Sequence, residues 1–238
     1  MTDASRPRRV AMLAPMPSEL RPIVRKVPLH RSQLGELPVQ SGVIGTTEVV
    51  ATRTGMGMPS ATRAAEAILD AGPVDHVLVV GIAGGVAPGL EIGQVLVPDV
   101  VVDGHTGAEY RSSPFGGVTA AGRLQTSNDF TVDPNVVAGL REHGVAAVDM
   151  ETAAIAAVCQ RRSCPWTAFR SISDRIDDGI VDDEVFGLAK PDGSPNYAAV
   201  ARLFLTRPWR IPRLVRVARD ANVATDAAAS AAIRACAS

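Results

Sequence analysis

The stretch DHVLVVGIAGG, residues 75–85, constrains this chain more than any other. Four consecutive large apolar residues, Val77 to Val80, leave no polar face for water. A strand of that kind belongs at the centre of a sheet covered on both sides, the usual situation of a parallel strand. The glycines that end it read as a tight turn, or as a place where another group approaches the backbone closely.

The rest of the chain supplies partners for such a strand. RRVAMLAPM reads as a short buried strand, and PSELRPIVRKV as a helix with Ser18 as its cap. Residues Val39 to Gly45 and Glu48 to Thr54 read as extended segments around a Gly-Thr-Thr turn. TGMGMPSATRAAEAILDAG is a glycine loop and then a helix, with Pro59 in its first turn and Gly72 at its end. EIGQVLVPDVVV is extended. VAAVDM is a strand whose helix is ETAAIAAVCQRR, and PWTAFRSISD is a further strand. The last third, from about residue 195, is helical. Strands alternating with helices predict a three-layer α/β/α sandwich around a mixed, mostly parallel central sheet. No internal repeat or low-complexity linker divides the 238 residues, so one domain is expected, with a helical C-terminal extension. The stretch Asp103 to Asn135, rich in Gly, Ser, Thr and Asp, is the least regular and reads as functional loop.

A formal net charge of -1 gives no general attraction to nucleic acid or anionic membrane. The three cysteines, Cys159, Cys164 and Cys236, have no metal-ligand spacing and are odd in number, which predicts a reduced cytoplasmic protein. The first sixteen residues lack the apolar core of a signal peptide, and no run reaches membrane-spanning length.

Ligands of open α/β sheets gather beyond the carboxyl ends of strands. Four polar groups fall there: Glu19 after the first strand, the turn Gly81 to Gly85 after the central one, Asp149 and Glu151 after VAAV, and Ser173 with Asp174 after RSI. An acidic residue in such a place is as often a helix cap as a catalyst. Together the groups predict a pocket with three carboxylates over an accessible backbone floor. Carboxylates suit paired sugar hydroxyls and general acid–base work.

These same residues carry a resemblance. Met16 to Glu19 (MxxE), TGMGMPSA (Thr54 to Ala61), VGIAGG (Val80 to Gly85), AVDMETAAIA (Ala147 to Ala156) and RSISD (Arg170 to Asp174) occur in this order over about residues 8 to 176. The chain resembles the nucleoside phosphorylase and nucleosidase superfamily, and most closely its methylthioadenosine/S-adenosylhomocysteine nucleosidases. The last two motifs are specific for it. The resemblance implies hydrolysis of a purine nucleoside with a 5′-modified ribose, adenine being the expected base. It implies Glu19 as the base that activates water, Asp174 as the acid that protonates purine N7, and Arg170 near the water and ribose. It implies Glu151 on the ribose 2′- and 3′-hydroxyls, Met150 packed on the sugar, and Asp149, where the family has glutamate, as a supporting residue. Ser173, Ile82, Ala83 and Gly84 line the same site, and Phe130 falls where the family stacks an aromatic on the base, core packing being its alternative. It implies a homodimer or larger homo-oligomer and no metal or other cofactor.

Ile82 stands where phosphorolytic members usually carry a serine, so hydrolysis is expected over phosphorolysis. The C-terminal region looks like the hopanoid-associated branch, which implies an adenosyl-lipid as an alternative substrate. Arg213, Arg216 and Arg219 share one broad side of a helix, with Trp209, Ile211, Leu214, Val215 and Val217 beside them. Such a helix reads as a contact with a lipid surface or, more simply, as the solvated face of a packed helix. His105 is a minor candidate for the sugar 5′ side, and Cys159 reads as buried and inert. A nucleoside-binding protein without turnover is the non-enzymatic alternative.

Overall fold

The computed structural model describes residues 8–128, 133–178, 206 and 208–238. In chain order the elements are β1 (Arg9–Ala14), α1 (Pro17–Lys26), β2 (His30–Leu34), β3 (Leu37–Ile44), β4 (Thr47–Arg53), α2 (Met58–Ala71), β5 (His76–Gly85), β6 (Val95–Leu96), β7 (Val100–Asp103), β8 (Glu109–Arg111) and β9 (Arg123–Thr126). Then follow α3 (Pro134–Glu142), β10 (Val145–Asp149), α4 (Thr152–Arg161), β11 (Trp166–Arg175) and a long C-terminal helix, α5 (Ile211–Ala237).

The strands form one mixed sheet in the order β2-β3-β4-β1-β5-β10-β9-β7-β8, with β11 on β5 and β6 on β11. The parallel ladders lie at its centre: β4 on β1, β1 on β5, β11 on β5. The outer hairpins β2–β3 and β7–β8 are antiparallel. β11 follows β5 from Val77 to Gly85. Along its other edge β5 pairs with β1 as far as Val79 and with β10, antiparallel, at Gly84 and Gly85.

Period-two alternation explains why LVV is apolar throughout. Ala11, Leu13, Val77, Val79 and Ala168 pack against Ala61, Ala65 and Ile68 of α2 and Ile155 and Val158 of α4. The residues between them, Val10, Met12, Leu78, Val80 and Phe169, pack on the other face against Ile23 of α1 and Ala228, Ala229 and Ala232 of α5. The three layers are therefore α2/α4, sheet, and α1/α5.

Three sequence expectations change. GIAGG is not a turn: it remains strand to Gly85, because β11 continues to pair with it. Ser173 and Asp174 lie inside β11, in keeping with PWTAFRSISD read as a strand, and that strand shifts register between Ile172 and Asp174. Ser18 does not cap α1. The boundary residue is Met16, whose N–H donates to Glu19 Oε2 at 2.7 Å, leaving Ser18 exposed in the first turn. The stretch from Asp103 to Asn135 holds β8, β9 and the start of α3. NYAAVARLF, read as helix, lies outside the described residues.

The turn Phe115-Gly116-Gly117-Val118 carries φ of +57 and +66 at its two glycines, the pattern of a tight hairpin turn. A Cβ on Gly116 would overlap the backbone of Ala235 in α5. Gly116→Ala should lower unfolding stability by at least about 1 kcal/mol from the left-handed conformation alone, read as a fall in the thermal midpoint.

Candidate functional site

One arginine organises the carboxyl end of β5. Arg170, on β11 opposite Gly81, is fully buried. Its Nη2 lies 2.6 Å from Asp149 Oδ2 and 3.3 Å from Glu151 Oε2. Its Nη1 donates to the Ile82 carbonyl at 3.3 Å and lies 3.9 Å from Glu19 Oε1. Its Nε donates to Thr152 Oγ1 at 3.1 Å. Burial works against this charge, and Asp149, Glu151 and Glu19 more than offset it, so its pKa rises further.

Glu19 is held by two backbone donors, Met16 N–H at 2.7 Å and Ile82 N–H at 2.9 Å. The second explains the glycine before Ile82. A Cβ on Gly81 would overlap both Glu19 Oε1 and Arg170 Nη1, so only glycine lets the carboxylate and guanidinium meet above the strand. Burial raises the Glu19 carboxyl to about 7, against Arg170, with Glu151 adding to the rise. Burial raises Glu151 to about 7 as well, again against Arg170 and with help from Asp149. Each carboxyl therefore changes charge near neutrality, the setting an acid–base group requires.

Asp149 and Glu151 divide the work at the start of α4. Asp149 Oδ1 accepts from Thr126 Oγ1 at 2.6 Å and from the Thr152 N–H at 3.4 Å, and its Oδ2 accepts from Thr152 Oγ1. With Arg170 also on Oδ2, Asp149 has no oxygen turned to a ligand and serves as the anchor. Glu151 makes no capping bond to its helix. Its Oε1 accepts from the Gly57 N–H at 2.9 Å, in the loop between β4 and α2.

Asp174 stands further along β5, beside Gly84. The Ser173 hydroxyl donates to its Oδ1 at 2.6 Å. Burial raises the Asp174 carboxyl above its usual range, against that hydrogen bond. From Gly81 to Gly84 is roughly 10 Å of strand. The backbone of Ile82, Ala83 and Gly84 thus forms a floor between Glu19 at one end and Asp174 at the other.

Of the residues singled out in sequence, Glu19, Arg170, Glu151, Asp149 and Ile82 converge on one centre, and Ser173, Asp174, Ala83 and Gly84 line its extension. Met150, between the two carboxylates, is half-buried. Phe130 lies outside the described residues. His105 is exposed, and Cys159 is buried with its thiol pKa pushed up by the neighbouring Cys164 and by burial. Sequence reading missed the work of Gly57, Thr126 and Thr152. Thr152 sits within the VDMET motif, but nothing in LQTS marks Thr126. Among the described residues no group of acids, histidines and cysteines could hold a metal ion.

Comparison with known proteins bears on this geometry. The sequence profile described as the Phosphorylase superfamily matches residues 9–143 and 118–206. The 5′-methylthioadenosine/S-adenosylhomocysteine nucleosidase of Shewanella frigidimarina is 28% identical over 198 residues, 70% of this chain and 86% of that protein. The nucleosidase of the same name from Bacillus pumilus is 28% identical over 164 residues, 56% of this chain and 71% of its own length. Among solved structures, the S-adenosylhomocysteine nucleosidase of Streptococcus pyogenes, in complex with a methylthio nucleoside analogue, matches 98% of each chain with TM-score 0.74 at 17% identity. Futalosine hydrolase of Helicobacter pylori matches 94% of each chain with TM-score 0.70 at 19% identity.

Two outcomes follow from the charge arrangement. Arg170→Met leaves three buried carboxylates without their cation and should cost about 3–5 kcal/mol, measured by urea unfolding. The raised Glu19 means that the folded state holds a proton the unfolded chain has lost. Stability from this group therefore falls as pH rises from about 4.5 to about 7. Glu19→Gln removes that slope, so its melting temperature should gain on the parent's between pH 5 and pH 8.

Proposed function

The chain belongs to the phosphorylase superfamily, and on that premise we propose that it is a purine nucleosidase. It hydrolyses the N-glycosidic bond of a purine nucleoside, adenine being the expected base, with a modified 5′ position on the ribose. Glu19 takes a proton from water as the water oxygen bonds C1′. Asp174 gives a proton to purine N7 as the C1′–N9 bond breaks and its electron pair leaves with the base. Glu151 accepts from the 2′- and 3′-hydroxyls and steadies the cationic sugar between these events. Met150 packs against the ribose, and Asp149 keeps Arg170 in place. The raised Asp174 fits an acid that must hold its proton, and Glu19 near 7 fits a base that must take one.

The observation that carries hydrolysis over phosphorolysis is the occupancy of Arg170. Its single positive charge is shared by Asp149, Glu151 and Glu19, so it has none to give a phosphate dianion. Ile82 offers no hydroxyl, and its N–H is taken by Glu19. A neutral nucleophile suits such a centre, and a second anion there meets repulsion. The nucleosidase names of the relatives support the same choice.

The reading brings with it a homodimer or larger homo-oligomer and a cytoplasmic setting. Among the described residues no helix is long and apolar enough to cross a membrane. The idea of a lipid-facing C-terminal helix draws support from Trp209 and Val215, both exposed, beside Arg216 and Arg219. Against it, Arg216 pairs with Asp178 and Asp220, and Arg219 with Asp220, as on a packed helix.

Chromatography of free base released from methylthioadenosine, S-adenosylhomocysteine, adenosine and inosine tests the proposal, each with and without phosphate. Release independent of phosphate is expected, and a strict phosphate requirement would make the enzyme a phosphorylase. Glu19→Gln and Asp174→Asn should each lower kcat by about 10²–10⁴-fold. The parent's kcat/KM should fall as pH drops below about 7, where Glu19 is protonated.

A further inference from the structure

A second charged region adjoins the site and has the opposite sign. A hollow of about 610 Å³ lies between α1 and the outer strands β2, β3 and β4. Arg31 of β2 and Arg53 at the end of β4 both line it, with Ser32, Gln40, Leu20 and Gly55, and no acidic side chain does. Both arginines are exposed, and neither guanidinium has an ion pair or side-chain hydrogen bond among the described residues. Other surface arginines among the described residues are paired: Arg9, Arg25, Arg123, Arg141, Arg161 and Arg162 all hold a carboxylate. Two unpaired guanidiniums on one concave surface make a receptor for an anion.

The hollow is joined to the catalytic end by short backbone links. Leu20 follows Glu19 directly. The Gly55 N–H donates to the Pro15 carbonyl at 3.1 Å, next to Met16, which holds Glu19. Gly57, whose N–H holds Glu151, is two residues beyond Gly55, at most about 7 Å along the chain. Under the proposed function the base points towards Asp174. The 5′ arm leaves C4′, which is bonded to the C3′ whose hydroxyl Glu151 receives, and Gly57 holds Glu151, so the arm leaves the ring on the side of the Gly55–Gly57 loop.

We propose that the hollow lined by Arg31 and Arg53 receives an anionic group, carboxylate or phosphate-like, at the end of the substrate's 5′ arm. This rests on the nucleosidase reading and narrows it: the preferred 5′ substituent is several bonds long and ends in negative charge, rather than being a short neutral thioether. It also gives the substrate a way to satisfy two sites of opposite sign. The neutral ribose and base sit over the carboxylates, and the charged end sits with the arginines.

The test compares base release from three adenosines with the same 5′-thioalkyl arm, ending in carboxylate, phosphonate or primary amide. The parent should prefer carboxylate or phosphonate over amide by at least tenfold in kcat/KM, and the better of the two names the anion. In the Arg31→Gln/Arg53→Gln double variant the anion-to-amide ratio should fall to near one, and the Arg→Lys pair should restore part of it. Because the ratio is taken within one enzyme, partial unfolding cancels. Equal kcat/KM for anion and amide in the parent, or an unchanged ratio in the double variant, would overturn the inference and leave the nucleosidase reading standing. If none of the three releases base while methylthioadenosine does, the inference is overturned; if methylthioadenosine does not either, the nucleosidase reading fails. Calorimetric affinities then decide the hollow: tenfold tighter binding of the anionic arms upholds it, and equal affinity overturns it.

Discussion

A guanidinium with no water around it must be surrounded by acceptors, and Arg170 is surrounded completely. Asp149, Glu151, Glu19, Thr152 and the Ile82 carbonyl share its donors. The arginine stands on β11, and these groups come from β10 with the start of α4, the β1–α1 junction and β5. The arginine therefore ties four segments of chain to one point. Removing it would strand three carboxylates in a place they occupy only because it is there. The glycine at position 81 follows from the same constraint, since any side chain there would part Glu19 from Arg170.

The excess of acid over base in this centre has a chemical consequence. One cation cannot neutralise three carboxylates in a buried setting, so two of them, Glu19 and Glu151, are driven to about 7. Asp149 accepts from two threonine hydroxyls and makes the closest approach to the arginine. The fold thus produces a distinction among chemically similar side chains: Asp149 is held by two threonines and the arginine, while Glu19 and Glu151 are raised to about 7. Asp174 is set apart at the far end of the Gly81–Gly84 floor, with the Ser173 hydroxyl as its partner. Such separation suits a reaction in which acid and base act on different ends of one substrate.

Around this centre the charge pattern changes sign within a short distance. The carboxylate centre is buried, while the hollow beside α1 is lined by two exposed arginines. The β1–α1 junction serves both, presenting Glu19 inward and Leu20 to the hollow. Selectivity for the 5′ arm and chemistry at the glycosidic bond would then be built from neighbouring residues of one helix turn.

Much of this was legible in the residues. The continuous apolar run at 77–80 required a covered central strand, and α2/α4 and α1/α5 cover it because alternate residues are all apolar. The carboxylates at strand ends marked the site, and the motifs that hold them are local in sequence. What the residues did not reveal is which neighbour each would meet. GIAGG reads as a turn by composition, yet it is strand because β11, some ninety residues later, pairs with it. Asp149 and Glu151 are equivalent by local rules of helix starts. Their roles part only because Thr126 comes from β9 and Gly57 from the loop before α2. The open pairing of Arg31 and Arg53 is equally non-local, since it depends on β2, β4 and α1 enclosing one hollow. Sequence determined the layers, the glycine floor and the identity of the acids, through patterns spanning a few residues. Only the tertiary structure decided which acid is an anchor and which titrates near neutrality, because burial and charge pairing arise from contacts between distant segments.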